Sequence, residues 1–323
     1  MASIVLGVAA SRSPLTAAPP EYWAQLGERD KRNARMRDGT GALRTYDELL
    51  ARVGPAIAAE ITPEAFRQKS QRVQRALDTI ADRLEQAAPD IVVVMGDDEE
   101  EYLHADNRPG ILLYRGETFH NTPRPLPPNP DALAYATGTQ WGDHEADYPV
   151  AVDLCNYLAD YLINAEFDLS DSTKMEAMPH GFGFLYKRML RTVAPIVPFI
   201  INVHYPPNQP TPKRCYDFGR TVRKALETWD SPARIAVVAN GGLSVFIVEQ
   251  ELDKRALTAM KNRDVVTISQ LPRAWMQGST GEVLCWITAA GALGHLDMEI
   301  LDYVPGYRSP AGTGSGLGFA VWS

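Results

Sequence analysis

The sequence predicts an α/β protein: one large domain over residues 1–323, with a mostly parallel central sheet flanked by helices. Three observations lead there. Apolar runs of strand length recur along the whole chain. Their apolarity is continuous rather than alternating, which is the pattern of strands buried on both faces. The stretches between them carry helical spacing and helix caps.

Ile4–Ala10 is the first strand; no basic stretch precedes it, and it is too short for the apolar part of a signal sequence. Thr62-Pro63 offers an N-cap followed by proline at the first helical position. Val73, Leu77, Ile80 and Leu84 then recur at helical spacing, with Arg72, Arg75, Asp82 and Arg83 on the other face, and Pro89 ends the helix. Strands follow at Ile91–Met95 and Ile111–Tyr114. Pro123–Pro130 carries too many prolines for regular structure. Further helices are expected at Pro149–Asn164, Phe182–Leu190, Cys215–Thr228, Phe246–Met260 and Val283–Leu293, and further strands at Val197–Val203, Ile235–Ala239 and Leu317–Trp322. No internal repeat and no long polar linker divides the chain.

Composition narrows the function. Hydrophobic residues make up 45% and charged residues 22%, the ordinary globular range. A formal charge of −8 argues against nucleic acid as a partner. No apolar run reaches the ~20 residues that a membrane-crossing helix needs. Three widely spaced cysteines, Cys155, Cys215 and Cys285, fit neither a disulfide framework nor a zinc site and are expected as reduced thiols in a cytoplasmic protein.

Each strong strand runs into an unusual polar segment. These are Ser11-Arg12-Ser13-Pro14, Gly96-Asp97-Asp98-Glu99-Glu100-Glu101, His204-Tyr205-Pro206-Pro207-Asn208 and Asn240-Gly241-Gly242-Leu243-Ser244. In open α/β sheets, ligands bind beyond the carboxyl ends of strands, so parallel neighbours would bring these segments to one rim. Plainer readings stand beside this one: a solvated acidic loop, a surface arginine, and glycines that only permit a tight turn. Gly312–Gly318 lacks both the Walker lysine and a following helix, and is expected to be a tight turn.

Four segments in order, Gly7–Pro14, Val92–Asp98, Ala239–Ser244 and Gly281–Trp286, resemble the class III extradiol ring-cleavage dioxygenases, in particular the catalytic subunit of protocatechuate 4,5-dioxygenase. His180-Gly181 and Pro198 to Pro207 fall between them in the family's order, and residues about 20–88 form an additional helical segment. The resemblance implies two histidines and a carboxylate on Fe(II), with a further histidine as acid/base. Arg12 and Asp98 stand where the two iron histidines are expected, Glu282 stands at the carboxylate, and Val245 replaces the acid/base. Arginine stays protonated and is no metal ligand.

The expectation is therefore a family member without the usual iron, in which the Arg12 guanidinium occupies the metal position between Asp98 and Glu282. It would act on an aromatic or phenolic acid or its ring-cleaved product. His180, His204 and Arg12 are the candidate catalytic groups, and Arg12, Ser13, Asp97, Asp98, Gly242, Ser244 and Val245 the candidate substrate-binding residues. One alternative is a non-catalytic paralogous subunit of a dioxygenase complex. Another is an active dioxygenase whose Fe(II) or other divalent metal is held by Asp97, Asp98, Glu282 and His204. The resemblance also implies a homo-oligomer, or a hetero-oligomer with a homologous subunit.

Overall fold

A computed structural model describes residues 1–138 and 141–323 of the chain, apart from the side chains of residues 54 and 136. Its strands are β1 (Ser3–Ala10), β2 (Ile91–Gly96), β3 (Ile111–Tyr114), β4 (Thr118–Asn121), β5 (Ala146–Pro149), β6 (Ser170–Ser172), β7 (Ile196–Ile201), β8 (Arg234–Asn240), β9 (Val245–Ile247), β10 (Met298–Tyr307) and β11 (Thr313–Trp322). Its helices are α1 (Pro14–Ala17), α2 (Trp23–Asp30), α3 (Tyr46–Val53), α4 (Pro63–Ala87), α5 (Ala132–Gly138), α6 (Val152–Asn164), α7 (His180–Phe184), α8 (Pro212–Thr228), α9 (Gln250–Lys261), α10 (Val265–Ser269) and α11 (Val283–Ala292).

The main sheet runs in the order β10-β11-β1-β8-β2-β7-β3-β6, with β9 paired to β11. Its centre, β1-β8-β2-β7, is parallel throughout. These central strands are the continuous apolar runs, and β2 and β7 are buried along their whole length, as strands covered by helices on both faces must be. On one side β11 and then β10 add antiparallel; on the other, β3 pairs antiparallel with β7.

Helices cover both faces. α4 begins as expected, with the Thr62 hydroxyl accepting from the Ala65 amide and proline at the first position. It ends at Ala88, in the left-handed region, just before Pro89. Its apolar stripe, including Val73, Leu77, Ile80 and Leu84, packs on β1, β10 and β11, so this part of the expected helical addition is a structural layer of the sheet. On the other face α8 and α11 cross closely: a Cβ on Gly219 would meet the Thr288 carbonyl, and one on Gly291 the Tyr216 carbonyl. Cys155, Cys215 and Cys285 are buried free thiols. No helix among the described residues is long and apolar enough to cross a membrane.

Some elements differ from expectation. The segment read as one helix over Phe246–Met260 begins as strand β9 and turns helical only at Gln250. The glycines of Gly312–Gly318 suggest a tight turn; in the structure only Gly312, with φ of 74°, makes the turn, and Thr313 onward forms β11. β10 escapes a pattern search because Glu299, Asp302, Pro305 and Gly306 interrupt its apolarity; proline is tolerated there because β10 is an edge strand.

Candidate functional site

Because β1, β8, β2 and β7 are parallel neighbours, the polar segments following them meet at one rim. Arg12 follows β1, Asp97 to Glu101 follow β2, His204 follows β7, and Gly241 to Ser244 follow β8. Glu282 comes from the turn that leads into α11.

Arg12 is the hub. Its Nη2 lies 2.9 and 3.1 Å from the two oxygens of Asp97 and 3.4 Å from Glu282 Oε1, while Nη1 lies 3.5 Å from Glu99 Oε1. Arg12 is 4% exposed and Asp97 1%, so the pair is removed from water, where charge-assisted bonds are strong and an unpaired charge is costly. Burial opposes the guanidinium charge, but Asp97, Glu282, Glu99 and Glu101 outweigh it and hold Arg12 firmly protonated.

His204 donates from Nε2 to Asp97 Oδ2 at 2.9 Å. Burial works against its charge, yet the Asp97 bond with the nearby Glu99 and Glu282 carboxylates lifts its pKa to about 9, so it is an imidazolium at neutral pH. Asp97 is held well below the usual carboxylate range: burial raises it, and Arg12 and His204 more than compensate. Glu282 goes the other way. Burial pushes it up, Arg12 offsets this in part, and Asp97 and Glu99 add to the rise, to about 8. Its Oε2 accepts the Gly242 amide, which reaches it because Gly241 takes φ of 139°; a Cβ on Gly241 would stand 2.7 Å from that of Glu282.

His180 opens α7 at the cleft side of Arg12. Its Nδ1 lies 3.0 Å from Glu101 Oε2, and its Nε2 contacts Arg12 Nη1. A guanidinium only donates, so Nε2 presents its lone pair and the ring proton sits on Nδ1, directed at Glu101.

Asp98 departs from expectation. It does not face Glu282 across Arg12; its carboxylate turns away and accepts the Tyr102 and Leu103 amides. Burial lifts its pKa to about 6. Asp97 takes the place foreseen for Asp98. The reason is geometric: past β2 the chain bends over Glu99 to Tyr102, with Glu100 in the left-handed region at φ of 63°, and Asp98 closes that bend by accepting the Tyr102 and Leu103 amides. Asp97, Glu99 and Glu101 turn toward Arg12 and His180, whereas Asp98 and Glu100 turn away, Glu100 to Arg108.

A cleft of about 1220 Å³ opens above this cluster. Among the sequence candidates, Arg12, Ser13, His180, Val245 and Glu282 line it. Asp97, His204, Gly242 and Ser244 lie beneath, and Asp98 lies beside a separate small hollow. Ser244 is committed elsewhere: its amide and hydroxyl donate to the buried Asp253, which also accepts from Tyr303. Glu99, Glu101 and Trp141, whose ring centroid is 5.7 Å from that of His180, were not singled out from the sequence. The two glutamates belong to the acidic segment that follows β2, but nothing in that run marks which of its carboxylates turn inward.

Asp97, Glu99, His204 and Glu282 bring one donor atom each within 4.8 Å of one another. One imidazole and three carboxylates would suit a divalent cation by type. Arg12 already stands among them, bonded or ion-paired to all three carboxylates, and His204 spends its ring nitrogen on Asp97. With a guanidinium there, the residues do not fit the iron centre that the resemblance implies.

Comparison with known proteins settles the lineage. Residues 53–318 match the family model described as the catalytic LigB subunit of aromatic ring-opening dioxygenase. The chain belongs to this family. Among curated relatives, gallate dioxygenase of Pseudomonas putida is 27% identical over 154 residues. That alignment takes in 43% of this chain and 45% of the relative, so the match spans less than half of that enzyme's length. Among solved structures, an uncharacterized protein of Escherichia coli K12 is similar at 17% identity and a TM-score of 0.45, covering 77% of this chain and 91% of the other. Arg12 precedes the matched region, whereas Asp97, His180, His204 and Glu282 lie within it.

Proposed function

We propose that this member of the ring-opening dioxygenase family binds an aromatic or phenolic acid, or the acid left when such a ring is opened. It works on that ligand by proton transfer, without a divalent metal between Asp97 and Glu282. The observation that carries the reading is the Arg12 guanidinium, fixed by Asp97 and Glu282 where a metal would have to sit.

Arg12 faces the cleft and offers an anion a charge-assisted bond. His180 is the base. Glu101 orients its ring through Nδ1–H and leaves the Nε2 lone pair beside Arg12, the arrangement in which a carboxylate supports an imidazole through proton transfer. A ligand carboxylate that draws Nη1 toward itself uncovers Nε2, which takes a proton from the ligand. The proton taken up by His180 Nε2 is handed back from that same nitrogen to a second position of the ligand. The sum is a proton shift within the ligand, with no oxidant consumed. His204 is a positioning residue: it fixes Asp97, and Asp97 fixes Arg12.

Calorimetric titration with a panel of phenolic and carboxylated aromatics, in the presence of a chelator, tests this. Binding is expected to survive the chelator and to be lost in Arg12→Met. Oxygen uptake with a catechol that depends on added Fe(II) would contradict the reading.

A further inference from the structure

The mouth of the cleft carries a second set of cations. Arg29, Arg32 and Arg35 come from the end of α2 and the segment after it; Arg124 comes from the proline-rich stretch before α5. Their neighbours on the same wall are already paired: Lys31 with Glu28 at 2.6 Å, and Arg308 with Asp30 at 2.7 Å. Among the described residues, these four arginines have no carboxylate within ion-pair distance. Two of them lie over aromatic rings. Arg124 is 4.1 Å from the centre of Trp141, and Arg35 is 5.7 Å from that of Phe246. A guanidinium over a ring face keeps its charge and leaves its N–H groups in plane for a ligand. The outer lining also holds Glu28, Asp30 and Glu100, but these are paired with Lys31, Arg308 and Arg108, which leaves the four arginines as cations that an anion can reach.

Cleft size points the same way. Small-molecule pockets usually hold ~300–1,000 Å³, and this cleft holds about 1220 Å³. A single-ring acid seated on Arg12 and His180 would leave the mouth unused. Arg29, Arg32 and Arg35 also lie outside the part of the chain that matches the family, so the mouth is partly built from sequence beyond the matched region.

We infer that the mouth is a second anion subsite, and that the substrate is an aromatic acid with an extended arm ending in a further carboxylate. The inference rests on the reading above, in which the ring and its own acid group occupy the inner cleft. Arm length and terminal charge then determine which aromatic acids are accepted, while Arg12 and His180 serve whichever ring is delivered.

Titration at low ionic strength with benzoate, 4-(3-carboxypropoxy)benzoate and adipate tests the subsite. The aromatic dianion is expected to bind the wild type at least about ten-fold more tightly than benzoate, equivalent to ~1.4 kcal/mol. In Arg32→Glu/Arg35→Glu that advantage falls to about two-fold or less while benzoate affinity holds. Arg32→Gln/Arg35→Gln, which changes only exposed side chains, gives an intermediate ratio and serves if the reversed pair fails to fold. Equal affinity of benzoate and the dianion for the wild type, or a ratio unmoved by charge reversal, overturns the subsite. Adipate binding as tightly as the aromatic dianion, with loss on charge reversal, supports the subsite and overturns the aromatic reading instead. No binding of any of the three overturns both.

Discussion

Arg12 meets Asp97 with one guanidinium nitrogen, Nη2, placed 2.9 and 3.1 Å from the two carboxylate oxygens, in a site where both side chains are almost wholly buried. A pair this dry owes its standing to its surroundings, since the attraction has to offset the loss of two hydration shells. Here His204 on the far oxygen of Asp97, and Glu282 and Glu99 around the guanidinium, complete the compensation. On the function proposed above, the charge that a metal would contribute is carried by Arg12.

Removing that charge leaves carboxylates facing one another in a dry site. Arg12→Met is expected to cost about 3–5 kcal/mol, the usual result of breaking one side of a buried pair. Urea denaturation measures this. Added Mn²⁺ should raise the melting temperature of the variant, whose acidic side chains are freed to bind it, and leave the wild type unmoved.

His204 links stability to pH. Its folded pKa of about 9 lies above the ordinary histidine value. Its contribution is therefore fully present below about pH 6.5 and is lost as pH rises through about 9. Wild-type stability should decline over that window, and His204→Gln should flatten the decline by a few kcal/mol. Chemical denaturation at a series of pH values checks this; a variant as pH-dependent as the wild type would rule the link out.

Asp97 and Asp98 are chemically alike and adjacent, yet their replacements should behave differently. Asp97→Asn removes the charge that faces Arg12 and His204, and is expected to destabilise the protein by several kcal/mol and abolish binding of aromatic acids. Asp98→Asn alters only a carboxylate that accepts the Tyr102 and Leu103 amides; binding should persist with a stability change near ~1 kcal/mol. Parallel titrations of the two variants give the comparison.

Gly241 has a narrower test. Its φ of 139° and the nearness of Glu282 leave no room for a methyl group. Gly241→Ala should cost about 1–3 kcal/mol and shift the Glu282 carboxyl, visible as weaker ligand binding beyond the loss of stability.

Much of this was legible in the sequence, for physical reasons. Buried parallel strands must be apolar on both faces, so β1, β2, β7 and β8 announced themselves, and the segments following them marked the rim. Arg12 and His204 were found in this way, whereas His180 and Glu282 came from the family resemblance. The β10 strand was not, because an edge strand tolerates the charges and the proline that disguise it. Asp98 was chosen over Asp97 by matching the resemblance position by position. Past β2 the chain bends, with Glu100 at φ of 63°, so which acidic side chains turn inward is set by that bend and not by a periodicity visible in the sequence. Trp141 and the arginines at the mouth gave no local signal, because they meet the site only through folding of irregular segments.

The central claim, that a guanidinium stands where a dication would otherwise be held, is most directly tested by crystallography with anomalous scattering on protein grown and soaked in Fe(II) or Mn²⁺ under anaerobic conditions. The account predicts no anomalous peak among Asp97, His204 and Glu282, and density for the Arg12 guanidinium bridging Asp97 and Glu282. A metal peak held by those three side chains, with Arg12 swung out into the cleft, would contradict it.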